Sequence, residues 1–211
     1  MNKVLVTLLI VAMGTHVSNA QLLKSYGIKV AYTSANQTYT SDFSGSYRYD
    51  HRSGFNAAAF GEWLNTPFVS VVTQVEYAQR GMRTSILDHT VGVPMPLNYV
   101  TIDNRVDYLS MLPLLKLAVP LSVLRPYILA GPRFDFLLGY KSTPAKYGYG
   151  DAFENFKKSS YGASLGLGAE LTNVLPVVVS IEGRYNADLV SASTYGNIRN
   201  DAFDIWVGVG F

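Results

Sequence analysis

The chain has 211 residues, a formal net charge of +2, 15% charged and 48% hydrophobic side chains, and no cysteine. So small a charge excludes a nucleic-acid binder, which needs a concentrated basic patch. The apolar content excludes a disordered chain, and the lack of Cys excludes a thiol nucleophile, a disulfide framework and a thiolate metal site.

Residues 1–20 read as a secretory leader. Lys3 precedes the apolar run Val4–Met13, and Ser18-Asn19-Ala20 offers small side chains for cleavage between Ala20 and Gln21. The run is about half the ~20 residues that a spanning helix requires. No later segment is apolar for as long as a spanning helix, so residues 21–211 are expected to form one domain without membrane helices.

From Gln21 onward the dominant period is two. Tyr26, Ile28, Val30 and Tyr32 share one parity, against Gly27, Lys29, Ala31 and Thr33. Val69, Val71, Val75 and Tyr77 oppose Ser70, Gln74, Glu76 and Arg80. Val177, Val179, Ile181 and Tyr185 oppose Ser180, Glu182, Arg184 and Asn186, and Phe203, Ile205, Val207, Val209 and Phe211 oppose Ala202, Asp204, Trp206, Gly208 and Gly210. Period two over about ten residues is a strand with two unlike faces. Eight such stretches are expected near 24–34, 53–63, 68–82, 105–119, 126–140, 158–171, 177–188 and 199–211. Short Pro-containing connections (64–67, 120–125, 172–176) alternate with long polar ones (35–52, 83–104, 141–157, 189–198). That alternation fits an all-β, eight-stranded antiparallel up-and-down transmembrane barrel, with tight periplasmic turns and long external loops.

Alternation also fits a soluble lipocalin-like barrel, which buries its apolar parity. Three features favour lipid. Aromatics sit near the ends of the apolar parity (Tyr26, Trp63, Tyr77, Tyr140, Tyr161, Tyr185, Phe203, Phe211), where interfacial girdles fall. Phe203 and Phe211 are eight residues apart, about 27 Å of strand and, tilted, close to the apolar band of such barrels. The chain also ends on aromatic Phe211, similar to the C-terminal assembly signal of outer-membrane barrels. Pro113 and Pro132 fall mid-strand, where each lacks a ladder donor, and bulges are expected there.

Several passages carry a family resemblance. Tyr77-Ala78-Gln79-Arg80-Gly81 resembles the "Y-S-Q-K-G" passage of PorT-like outer-membrane β-barrel proteins. Tyr108-Leu109-Ser110-Met111-Leu112-Pro113-Leu114-Leu115-Lys116 resembles their "Y-L-E-I-P-L-L-L-K" strand. Arg125-Pro126-Tyr127-Ile128-Leu129-Ala130-Gly131-Pro132 is similar to "K-P-Y-L-G-A-G-P", and Gly166-Leu167-Gly168-Ala169-Glu170 and Arg184-Tyr185-Asn186 extend the likeness. The resemblance implies an eight-stranded barrel of the Gram-negative outer membrane, and counts Pro113 and Pro132 as family features. It implies little about activity, although the namesake takes part in secretion. Ser110 departs from the family's Glu, which would remove one interior charge partner.

If the apolar parity meets lipid, the other lines the lumen. It carries Glu62, Glu76, Asp135, Glu170, Glu182 and Asp204 against Arg80, Lys116, Arg133 and Arg184. Eight strands leave an interior just wide enough for side chains to fill. Unpaired buried charges cost several kcal/mol, so these ten are expected to pair as a structural polar network. Gly162, Gly166, Gly168, Gly208 and Gly210 would leave room for Trp206 and the long basic side chains.

Catalytic candidates are thin. Asp50-His51 and Asp88-His89 lie in expected loops, and Ser85 with His89 is the nearest approach to a hydrolase grouping. No cofactor motif or metal-ligand spacing is present. Tyr39, Tyr47, Tyr49, Tyr147, Tyr149, Phe153 and Phe156 lie among charged loop residues, a composition suited to protein or glycan partners. The sequence therefore points to an outer-membrane structural or interaction protein, not an enzyme, exported by its leader. Its expected partners are outer-membrane lipid, the barrel-assembly machinery and a protein or glycan at the loops. A narrow small-solute channel and a loop-borne hydrolase are the alternatives.

Overall fold

The computed structural model describes residues 22–41, 45–64, 66–87, 99–143, 156–174, 176–194 and 197–211. The leader expected over residues 1–20 and its cleavage point lie outside the described residues. The chain forms β1 (Leu23–Ser41), β2 (Gly45–Arg48), β3 (Arg52–Trp63), β4 (Val69–Leu87), β5 (Tyr99–Ala118), β6 (Leu124–Thr143), β7 (Ser159–Leu171), β8 (Val178–Asp188) and β9 (Asn197–Gly210). Strands β1 and β3 to β9 pair antiparallel with their chain neighbours. β9 then pairs back onto β1 from Gly27↔Gly210 to Thr40↔Asn197 and closes the ring. The four-residue β2 pairs with β1 from Thr38↔Arg48 to Ser41↔Gly45, so it extends the lane of β3 outward. The result is an eight-lane antiparallel up-and-down barrel.

One parity faces out all round the ring. Ile28, Val30, Ile128, Leu165, Leu167, Ile181, Ile205 and Val207 are exposed on it. Near its ends stand Tyr26 against Phe211 (ring centroids 6.1 Å apart) and Phe134 against Tyr161 (5.8 Å, edge-on). A solvent-exposed apolar belt bounded by aromatics is the surface that lipid covers.

Three local features depart from the sequence expectation. The external ends of β1, β4, β5 and β6 run on to Ser41, Leu87, Tyr99 and Thr143. The extensions of β1 and β6 are polar apart from Ala35 and Tyr39, so they carry no alternation to read, whereas that of β5 does alternate, Val100 and the buried Ile102 against Thr101 and Asp103. At Pro113 and Pro132 there is no bulge: the β5–β6 register is the same at Met111↔Phe134 and Leu115↔Ala130, which sets the two prolines opposite each other. The intervening rungs are missing, and the strands press together instead. A Cβ on Gly131 would lie 2.2 Å from the Pro113 carbonyl oxygen. The register shift falls higher up, beside Asp107 and Tyr108. It reverses parity beyond Leu138, so Tyr140 pairs with Val106, which is buried inside. Directly opposed residues share a face, and Tyr140 therefore leaves the lipid girdle to which its parity assigned it.

A cation in the middle of the lipid face should be far more costly than one at its edge. Leu167→Arg is expected to lower unfolding stability in lipid vesicles by about 2–4 kcal/mol, and Leu171→Arg, at the periplasmic end of the same strand, by less than about 1 kcal/mol. Equal small effects in urea titrations would mean that Leu167 does not face hydrocarbon.

Candidate functional site: the filled lumen

All ten charged residues selected on parity are buried on the lumen side: Glu62, Glu76, Arg80, Lys116, Arg133, Asp135, Glu170, Glu182, Arg184 and Asp204. They form stacked groups. Nearest the periplasm, Lys116 on β5 reaches Glu62 on β3 (2.8 Å) and Glu170 on β7. Lys24 donates to Glu62 at 2.5 Å, as does the Ser70 hydroxyl at 2.7 Å. Arg125 lies 3.9 Å from Glu62 and 3.7 Å from Glu170. A pocket of ≈ 380 Å³ between the periplasmic turns is lined in part by Lys24 and Arg125, but both cations are already held by these carboxylates.

One level up, Glu182 accepts from Lys29 (3.0 Å) and from the Tyr127 hydroxyl (2.9 Å). The Lys29 ammonium stands 4.9 Å over the Phe60 ring, and Lys116 stands 4.5 Å over Tyr127. Arg184 on β8 then crosses the lumen. Its guanidinium bonds Glu182 on its own strand (Nε to Oε1, 2.7 Å), and Gln74 (3.0 Å) and Glu76 (3.5 Å) on β4. Four lanes separate β4 from β8 in an eight-lane ring, so this contact spans opposite walls. The same guanidinium carbon lies 5.1 Å over the Trp206 ring. Above it, Arg80 sits 3.5 Å from Glu76 and 3.7 Å from Asp204. Asn186 also donates to Asp204 (2.7 Å). Arg133 bonds Asp135 (2.8 Å) and Asp188, and Asp188 accepts from the side chain of Asn200 (2.8 Å).

Room for these long side chains comes from lumen-facing glycines. A Cβ on Gly168 would lie 2.6 Å from the Tyr127 ring, one on Gly162 2.8 Å from the Arg133 guanidinium, and one on Gly208 2.7 Å from the Lys29 stem. At the position where the PorT-like passage has Glu, Ser110 donates to Asp135 at 2.5 Å. That carboxylate keeps Arg133 as its cation, so the smaller residue leaves no charge unmatched there.

Parity found Arg133–Asp135 and Glu182–Arg184 as bonded pairs, but missed Lys24, Lys29, Arg125 and Asp188. Lys29 and Asp188 do carry the signal, since each shares the parity of its strand's lumen face. Asp188 ends β8 and Arg125 lies next to the start of β6, where a parity count loses its neighbours. The lumen is also less polar than expected. Val72, Leu112, Leu114, Ala118, Tyr127 and Leu129 form a buried cluster in its periplasmic half, with Phe60 against it. A second cluster toward the external mouth joins Ala78, Val106 and Tyr108 to Phe156 and Ala192 from the connecting segments. The run Met111-Leu112-Pro113-Leu114-Leu115 is apolar on both parities, so alternation could not assign its inner face.

The described loop-borne candidates do not converge. His51 is exposed, and its Nδ1 lies 3.2 Å from the Ser34 hydroxyl. Asp50 exchanges backbone hydrogen bonds with Arg83, and the Ser85 hydroxyl meets Thr101 at 3.3 Å. Asp88, His89, Tyr147, Tyr149 and Phe153 lie outside the described residues, as does the side chain of Tyr47. Tyr39 and Tyr49 stand at the external end, whereas Phe156 is tucked into the upper cluster. Among the described residues no group of His, Asp or Glu is placed to hold a metal ion.

Removing one partner of a buried ion pair strands the other. Arg184→Ala is therefore expected to cost about 3–5 kcal/mol of unfolding stability in lipid, and Arg83→Ala, whose guanidinium is half-exposed on Asp103, less than about 1 kcal/mol. Similar losses for both would contradict the spanning role of Arg184.

Three solved structures are similar to this chain in architecture. Ail, the attachment invasion locus protein of Yersinia pestis, crystallised with the heparin analogue sucrose octasulfate, is 15% identical, with a TM-score of 0.43 over 89% of this chain and 98% of that one. Neisserial surface protein A is 17% identical, with a TM-score of 0.45 over 87% and 97%. The outer membrane protein OprG of Pseudomonas aeruginosa is 10% identical, with a TM-score of 0.45 over 87% and 94%. No curated protein matches by sequence. The family model for the outer membrane protein β-barrel domain matches residues 19–191, a span that takes in every charged residue of the lumen network except Asp204, and the chain belongs to that family.

Proposed function

We propose that this protein is an exported, non-conducting and non-catalytic barrel of the outer membrane. In this reading the paired lumen charges are structural, and the external ends make the functional contacts. The observation that carries it is the Arg184 contact from β8 to Gln74 and Glu76 across the lumen, with apolar clusters toward both mouths. A narrow solute channel needs a continuous polar path, and these clusters interrupt one. Against a loop-borne hydrolase, the hydrogen-bond partner of the His51 ring among the described residues is a serine hydroxyl at the rim.

The external wall offers Arg83 on Asp103 and Arg105 on Asp107, with Lys141 paired to Arg105 across the β5–β6 ladder, mixed charge of the kind that meets a protein or an anionic glycan. A role in assisting secretion belongs to the same interaction reading. Phe211 completes the last lane: its amide and carbonyl exchange hydrogen bonds with Tyr26 at 2.8 and 3.1 Å. Its exposed ring is proposed as the mark read by the assembly machinery.

Purified protein in planar bilayers is expected to show no steady conductance; stable unitary currents would overturn the filled-lumen reading. Phe211→Ala is expected to cut the heat-modifiable, membrane-assembled fraction in cells several-fold while refolding in detergent proceeds as before. An equal loss in both settings would make Phe211 a stability residue only.

A further inference from the structure

The wall is not equally sealed on all sides. The β3–β4 ladder runs only from Trp63↔Val71 to Ala57↔Tyr77, whereas on the next seam every residue of β4 pairs with β5. Above Ala57↔Tyr77 the two strands meet again only at the isolated bridge Asp50↔Arg83. Between these points side chains stand in for the backbone. The Gln79 amide donates to Asn56 Oδ1 (2.9 Å), and Gln79 Oε1 accepts from the Phe55 amide (3.2 Å). A carboxamide inserted between two strands needs more width than the ~4.8 Å of a normal ladder, so the seam is parted. This differs from the interrupted rungs at Pro113 and Pro132, where the backbones press together. Gly81, at φ 130, adds a backbone turn on the β4 side that a side chain would strain.

What lines the parted seam is chemically polarised. On the lumen side two buried donors have no hydrogen-bond partner, Arg52 Nη1 and Asn56 Nδ2, and Arg80 Nη2 has only a long ion pair to Glu76 at 3.5 Å. Arg52 is otherwise held by Asp103 through Nε (2.6 Å), and Arg80 Nη1 lies 3.7 Å from Asp204. Gly54 keeps the space between Arg52 and Gln79 clear, since a Cβ there would lie 3.1 Å from both Arg52 Nη1 and Gln79 Oε1 and 2.8 Å from the Thr33 methyl. On the lipid side Tyr32 and Phe55 are exposed, and Tyr77 accepts from Gln79 Nε2 (3.1 Å). The donors want acceptor oxygens; the aromatic rim wants hydrocarbon.

We propose that the parted β3–β4 seam is a lateral portal for an outer-leaflet amphiphile. Its carboxylate or phosphate headgroup enters the lumen beside Arg52, Asn56 and Arg80, and its acyl chain stays against Tyr32, Phe55 and Tyr77. Gln79 is the latch. The portal opens sideways and needs no path along the barrel axis, so it stands or falls separately from the conductance of the lumen.

The chain has no cysteine of its own, which makes thiol labelling a clean test. Ala78→Cys places a thiol on the lumen side next to the seam, and Ser110→Cys places one on β5, whose β4 seam is fully laddered beside it. In lipid nanodiscs, bilayer-dissolved N-dodecylmaleimide is expected to label the Ala78→Cys protein at least tenfold faster than the Ser110→Cys protein. In the Ala78→Cys background, Gln79→Ala should raise the labelling rate and Gly54→Leu should lower it about tenfold, each in protein that still shows heat-modifiable gel mobility. Laurate or dodecyl phosphate should slow labelling at position 78, the stronger competitor identifying the headgroup, while dodecyltrimethylammonium should not. Equal rates for the two single-thiol proteins would overturn the portal, as would indifference to both Gln79→Ala and Gly54→Leu. Competition by the cationic amphiphile as strong as by the anionic ones, or by none of them, would overturn the headgroup assignment.

Discussion

In hydrocarbon no water is available to a backbone N–H or C=O, so each must find its partner within the wall. The rest of the molecule follows from that constraint. A sheet can satisfy it only by closing on itself, and closure here is the β1–β9 ladder from Gly27↔Gly210 to Thr40↔Asn197. Once closed, the barrel has one face against lipid and the other around a space too narrow for much besides its own side chains. The low charge of the chain then has a physical meaning. Its apolar surplus sits outside, where Ile28, Leu167 and Ile181 stay exposed, and a large share of its few charges sits inside.

Burying that many charges is stable only if each finds a counter-charge and a donor or acceptor for its remaining atoms. The lumen supplies the counter-charges by reaching across lanes. Lys116 joins three strands, Arg133 ties β6 to β8, and Arg184 ties β8 to β4. Glycine at the paired position of the neighbouring strand makes such reach possible, as at Gly162 beside Arg133 and Gly168 beside Tyr127. Cations over aromatic rings, Lys29 on Phe60 and Arg184 on Trp206, contribute further where hydration is lost.

Most of the wall was legible in the sequence, because a strand between lipid and a polar lumen alternates strictly. What was not legible has physical reasons. The extensions of β1 and β6 are polar apart from Ala35 and Tyr39, so no period marks them, and the β4 and β5 extensions add only five or six residues each, too few to stand out from a loop. Tyr140 was assigned to lipid because a parity count assumes unbroken register, and the shift beside Asp107 and Tyr108 moves it. The inner cluster of Leu112, Leu114 and Leu129 was hidden by a stretch apolar on both sides. Opposed prolines replaced the bulges expected at Pro113 and Pro132, since their missing donors face each other where the strands press together. The parted seam between β3 and β4 depends on which strand edge keeps its rungs, and a single strand's pattern does not encode that.

Closure of the ring is the claim on which lumen, lipid face and seam all depend, and amide hydrogen exchange in lipid nanodiscs tests it most directly. The closed barrel requires the amides of β1 from Ile28 to Gln37 and of β9 from Asp201 to Val209 to exchange as slowly as the middle of β5. Rapid exchange confined to β1 and β9, as free edge strands would show, would contradict the account.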